Sequence, residues 1–135
     1  MRFTVSTKGH YDFINITDRV AAEVSKTHVD DGVAVIFALH ATVAITIMEG
    51  DAEVDKDIID VWEKLAPEKA DYKHHKRWGD HNGAAHIKSA FMKPSLSVPI
   101  EDSKLLLGTW QQIVLIDFDE KAREREIIVK VVSSN

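Results

Sequence analysis

The sequence predicts an α+β fold in one domain spanning residues 1–135, and three features carry that expectation. Short alternating or β-branched apolar runs lie towards both ends, a strongly amphipathic helical stripe lies in the middle, and no repeat or Pro/Gly/Ser-rich linker divides the chain. Strands and helices do not alternate as regular β-α-β units. The expected architecture is therefore a mainly antiparallel sheet with about three helices packed on it.

The elements follow in order. Phe3 and Val5 alternate with polar neighbours, as in a half-buried strand, and Tyr11 and Phe13 mark a second short one. Thr17 offers an N-cap, and Val20, Ala21 and Val24 recur at helical spacing up to the turn near Gly32. Val33 to Leu39 is continuously apolar, which suits a strand buried on both faces, and "TVAITI" follows almost at once. Val54, Ile58, Val61, Trp62 and Leu65 form one helical stripe, with Asp51 as cap and Pro67 as stop. The polar stretch from Lys69 to Asn82 reads as a long loop, and Ala84 to Met92 as a short helix. Strands over Leu96–Ile100, Lys104–Thr109, Ile113–Phe118 and Glu126–Val132, joined by short polar turns, suggest an antiparallel meander. "DEKAREREI" reads as its exposed hairpin end.

At 135 residues the chain can bury one core, and 44% hydrophobic against 29% charged residues is a globular balance. A net charge of -5 argues against nucleic acid as a partner. No stretch approaches a membrane span and the first residues lack a signal-peptide core, so a cytoplasmic protein without membrane contact is expected. Without cysteine there is no disulfide framework, and any transition metal must be held by imidazole and carboxylate.

Seven histidines concentrate towards the middle of the chain. His40 ends an apolar strand, where it can face a cleft or serve as a capped core histidine. His74, His75, His81 and His86 surround the central loop, while His10 and His28 read as turn and helix-end residues. The spacing of His81 and His86 brackets a turn; the two can share a metal, and Lys88 can meet a phosphate or remain an exposed lysine. Glu49 can transfer a proton or complete a metal site. "GTWQ" over Gly108–Gln111 reads first as a strand bend with Trp110 in the core. A P-loop, a nucleophile elbow and a dinucleotide glycine fingerprint are absent. The residues alone thus reach a histidine and carboxylate cluster of open chemistry.

An ordered set of segments adds to this. "NITD" at Asn15, "LHATVAITIMEGD" around His40, "YKH" at Tyr72, "GDHNGAAHIKSA" around His86, "SLSVPI" at Ser95 and "LGTWQ" at Leu107 together resemble the YjbQ-like family over nearly the whole chain. The resemblance implies a YjbQ-like fold, a homotrimer with sites near subunit boundaries, and secondary thiamine-phosphate synthase activity on small phosphorylated substrates. That reaction condenses hydroxymethylpyrimidine diphosphate with thiazole phosphate and releases pyrophosphate. Family positions fall on His40, Glu49, Tyr72, His74, Asp80, His86, Lys88, Thr109, Trp110 and Gln111. The implied roles are His40, His74 and His86 on a divalent metal, zinc or magnesium, with no organic cofactor; Glu49, His81 and Lys88 in catalysis; and Tyr72, Asp80, Lys88, Thr109, Trp110 and Gln111 on substrate. Tyr72 or Trp110 would stack on the pyrimidine. Met48, Ala41 and Gln112 depart from the family's usual asparagine, threonine and glycine. Two other expectations use the same residues: a metal-dependent hydrolase of a small phosphate ester, and a trimeric ligand-binding protein without turnover.

Overall fold

The computed structural model describes residues 1–135. In chain order the elements are β1 (Arg2–Thr7), β2 (Asp12–Asn15), α1 (Thr17–Ser25), β3 (Gly32–Ala38), β4 (Val43–Met48), α2 (Ala52–Leu65), α3 (Lys73–Trp78), α4 (Gly83–Met92), β5 (Ser95–Glu101), β6 (Lys104–Leu105), β7 (Gln112–Asp117) and β8 (Arg123–Ser133). Hydrogen bonding sorts the strands into a five-stranded sheet, β1-β8-β3-β5-β6, and a three-stranded sheet, β2-β7-β4. Every neighbouring pair is antiparallel.

Alternation explains how the layers meet. Phe3, Val5, Ile36, Ile127 and Val129 of the larger sheet pack against Ile45, Ile113 and Leu115 of the smaller one, with Val20 and Val24 of α1 closing the core. The intervening residues of β7, Val114 and Ile116, point the other way and form a second cluster with Ala44, Phe118 and Ala85 of α4. The three-stranded sheet is therefore a middle layer, and β7 is buried on both faces. No helix is long and apolar enough to cross a membrane.

The α+β class and the antiparallel pairing are as expected, and several details are corrected. The doubly buried strand is β7 rather than β3, because α4 covers only the smaller sheet; on β3, Val33, Val35 and Phe37 remain exposed, as does Leu39 just beyond its end. The four final strands are no meander: β7 crosses to the smaller sheet and β8 returns to lie between β1 and β3. The run after Phe118 is consequently a corner between sheets, not a hairpin end. Only Lys104–Leu105 of the expected Lys104–Thr109 strand pairs, with Glu101 and Ile100. A fourth helix, α3, interrupts the expected loop. It is short, enters from an extended Tyr72 and stops at Gly79, whose φ of 69° supplies a left-handed cap. Thr17 is the first residue of α1 rather than its cap, and its hydroxyl donates to Asn15 Oδ1 and accepts from the Ile113 amide, tying the helix start to β7. Asp51 caps α2 as expected, accepting from the Glu53 amide at 2.8 Å.

Candidate functional site

Strand register divides the expected site residues between two ends of the smaller sheet. Gln112 opposes Met48 at one end of β7, and Asp117 opposes Val43 and Asp12 at the other. At the rise of an antiparallel strand these ends stand roughly 17 Å apart. Glu49, Thr109, Trp110 and Gln111 adjoin the first end. The histidines, Tyr72, Asp80 and Lys88 gather around the second.

The histidine end is built on a buried ionic frame. Arg125 donates through Nε to Asp117 Oδ2 at 2.7 Å and through Nη2 to Asp117 Oδ1 at 3.0 Å and Thr42 Oγ1 at 2.8 Å. Thr7 donates to the same Asp117 at 2.5 Å. Asp119 accepts from Thr42, Arg123, the Glu120 amide and Asn82. Burial would raise the Asp119 carboxyl, but these bonds to its charged form outweigh it and hold it below the usual carboxylate range. Through Asn82 the frame fixes the entry to α4. Gly83 then approaches α3 so closely that an added Cβ would lie 2.7 Å from Tyr72 Cβ. Its amide donates to His75 Nε2 at 2.9 Å.

Against this frame His74 Nδ1 stands 3.0 Å from Asp80 Oδ1. The pair is poorly aligned for hydrogen bonding, and both atoms, with Asn82 Oδ1, are buried without another partner. The His86 ring lies over His74, with centroids 4.4 Å apart. Burial first, then the neighbouring His74, lowers the His86 pKa and favours its neutral form. One imidazole facing a carboxylate and a second kept neutral can orient and move a proton. His81 is exposed, beside His75 at 5.5 Å between ring centroids, on a cavity that also includes Glu68, Lys69 and Asp71.

His40 reaches the same end from β3 but is already engaged: its Nε2 accepts from the Glu126 amide at 2.8 Å, and burial lowers its pKa. No group of three or more His, Asp or Glu side chains is arranged to hold a metal ion. His40 is thus turned to the backbone of β8, while His74 and His86 lie against each other.

Lys88 departs from its expected place. It is 0% exposed, lies under Tyr11 and Phe118 with Nζ 4.2 and 5.9 Å from their ring centroids, donates to the Tyr11 hydroxyl, and sits 3.4 Å from Glu63 Oε2. Tyr11 in turn donates to Glu63 at 2.5 Å. Burial lowers the Lys88 pKa, against the pull of Glu63, and burial with the Glu63 bond raises Tyr11. The Glu63 carboxyl, which burial alone would raise, is lowered by Tyr11, the Glu68 amide and Lys88. Lys88 is thus enclosed by protein groups rather than presented to a phosphate. Tyr72 donates to the Pro67 carbonyl at 2.6 Å and packs edge-on to His75.

At the opposite end Trp110 is 74% exposed, not in the core as its strand-bend reading predicted. Gln111 explains this: its side chain accepts from the Gly108 amide at 2.8 Å and closes a turn that lifts the indole to the rim of a cavity. Glu49, Asn15, Asp51, Thr109 and Gln112 share that cavity, of about 530 Å³. Asp117, Asp119, Arg125, Tyr11, Glu63 and Asn82 were not singled out from the sequence as site residues. The charges of Arg125 and Asp119 inside β-branched or strand-flanking segments were the available signal.

The family description "UPF0047 protein YjbQ-like" matches residues 1–134. A UPF0047 protein of Archaeoglobus fulgidus is 38% identical over 132 residues, covering 98% of this chain and all of its own length. UPF0047 protein YugU of Bacillus subtilis is 33% identical over 129 residues, 95% of each chain. Among solved structures, a YjbQ/UPF0047 protein of Clostridium acetobutylicum superposes with a TM-score of 0.88 at 38% identity, covering 98% of this chain and 99% of that one. A protein of Sulfolobus solfataricus does so with a TM-score of 0.92 at 30% identity, covering 99% and 96%.

Proposed function

The chain belongs to the UPF0047 protein YjbQ-like family, and on that premise we propose that it is a cytoplasmic transferase of the secondary thiamine-phosphate synthase type. In this reading the thiazole nitrogen attacks the methylene carbon of hydroxymethylpyrimidine diphosphate. A C–N bond forms, the C–O bond to the diphosphate breaks, and pyrophosphate leaves with the electron pair. The observation that carries the reading is the His74–Asp80 contact at 3.0 Å with neutral-leaning His86 stacked on it. Such an arrangement can hold a proton for the departing oxyanion, and the partly buried setting limits water, which would otherwise capture a pyrimidine cation.

The active form is a homotrimer. Its support is the exposed stripe of Val33, Val35 and Phe37 on a central strand, extended by Leu39 just beyond it and joined by Val132 on β8, an apolar surface of the kind subunits cover. Trimer formation also answers the separation of the two ends: Glu49 and Trp110 of one protomer would face the histidine end of the next.

Purified wild type is incubated with both precursors. Thiamine phosphate and equimolar pyrophosphate support the transferase. Orthophosphate from either precursor alone would favour a phosphate-ester hydrolase, and binding without product a ligand-binding protein.

A further inference from the structure

α2 carries the apolar stripe Val54, Ile58, Val61, Trp62 and Leu65, yet none of its residues is buried. A helix of this kind owes most of its stability to the covering of such a stripe. Here only one edge is covered. Trp62 donates to Met92 Sδ at 3.2 Å and packs edge-on to Phe91 and Phe118. The other edge stays bare: Val61 is 54% and Leu65 71% exposed, and Phe91 of α4 extends the patch at 75%. Beside them Ile58, Trp62 and Met92 help to line a groove of about 360 Å³, whose one charged wall is Asp57.

The β3 stripe with Val132 is a second bare apolar face, on the outer side of the larger sheet, whereas α2 stands with α4 beyond the smaller one. In a ring of three copies each pairwise contact joins two different surfaces, because a surface that pairs with its own copy gives twofold assemblies. The stripe thus needs a second surface to meet, and the helix face is an apolar one. Charge agrees. Lys130 stands opposite Val35 within the stripe, and neither Lys130 nor Asp57 has an ionic partner in its own chain. We infer that the larger sheet of one copy docks head to tail on the α2–α4 face of the next, with the β3 stripe over Val61, Leu65 and Phe91 and Lys130 paired with Asp57. The inference rests on the homotrimer of the reading above and names both halves of its contact. α2 runs from the Glu49 end to the Glu63–Tyr11 bond at the histidine end, so the docked neighbour braces the helix that links the two ends.

The test uses the full chain and sedimentation with light scattering. Leu65→Asp spoils the helix face and Phe37→Asp the sheet face; both positions are exposed, so circular dichroism should match wild type. Each variant alone is expected to be monomeric. Mixed, they should form a dimer of one chain of each kind, because the intact sheet of Leu65→Asp meets the intact helix face of Phe37→Asp and the ring cannot close. A second pair of variants reads the same contact without touching its apolar residues. Asp57→Lys should raise the concentration at which the trimer dissociates about tenfold, the scale of one interfacial charge pair, and adding Lys130→Asp should restore it. A wild-type trimer that persists in Leu65→Asp, like-with-like dimers of either variant alone, a mixture that stays monomeric, or an Asp57→Lys loss that Lys130→Asp does not repair would overturn the inference while the trimer stands. A monomeric wild type would remove the trimer and this contact together.

Discussion

Replacing Lys88 separates a buried structural cation from a phosphate ligand. In Lys88→Ala the three outer methylenes leave a fully buried position, which at about 0.8 kcal/mol per methylene costs on the order of 2 kcal/mol. Tyr11 and Glu63 also lose a charged donor, worth roughly 1–3 kcal/mol where the acceptor is left without a partner. The lower part of that range applies, because Tyr11 keeps its own bond to Glu63. Removing the charge returns part of its desolvation cost, so the net destabilisation should be about 2–4 kcal/mol. Lys88→Met restores most of the volume without the charge and should recover about 2 kcal/mol of it. Urea unfolding at constant m-value reads the stability, and calorimetry reads pyrophosphate affinity, which should stay within twofold of wild type in both variants. A Lys88→Ala protein that unfolds at the wild-type midpoint and loses pyrophosphate would refute the structural assignment.

Three further outcomes follow from the same contacts. Asp117→Ala leaves the Arg125 guanidinium buried with mainly Asp119 at 3.4 Å, so it should cost about 3–5 kcal/mol, and adding Arg125→Met should restore a large part; additive losses in urea unfolding would show that the pair is not coupled. His40 and His86 are held below the ordinary histidine value, so the unfolded chain takes up protons first and stability should fall as pH drops below about 6.5. Thermal melts between pH 8 and 5 should show a slope that His40→Gln and His86→Gln each reduce; a melting temperature that rises on acidification contradicts the sign. Phe37→Asp places a charge on the bare face of β3, and light scattering should report monomers with unchanged circular dichroism. Wild type that is itself monomeric at micromolar concentration removes the trimer.

Where local periodicity matched the packing, the sequence could be read directly. The α2 stripe, the Asp51 cap and the alternation of β1 all appear where spacing placed them. Partner choice between strands was not legible: the β-branched run of β3 looks as buried as β7, and only the covering of the smaller sheet by α4 distinguishes them. The mixed-sign run after Phe118 looked solvated because its pattern cannot reveal that Arg125 turns inward from the larger sheet onto Asp117 of the smaller one and onto Asp119 at the run's own start. The candidate residues were legible as an ordered set of segments, but their division was not. It depends on the register of β4 against β7, which places Glu49 and Trp110 at one end and His74 and His86 at the other.

Complementation between protomers tests the proposed transferase assembled from two subunits most directly. His74→Ala and Trp110→Ala proteins, each inactive alone, are mixed, dissociated and reassembled, and thiamine phosphate is measured from both precursors. If each site takes His74 from one subunit and Trp110 from its neighbour, random assembly should recover about a quarter of wild-type activity. Thiamine phosphate no higher than in the unmixed variants, beside an active wild type, would place both residues' contributions within one chain or outside the reaction, and an inactive wild type would remove the transferase itself.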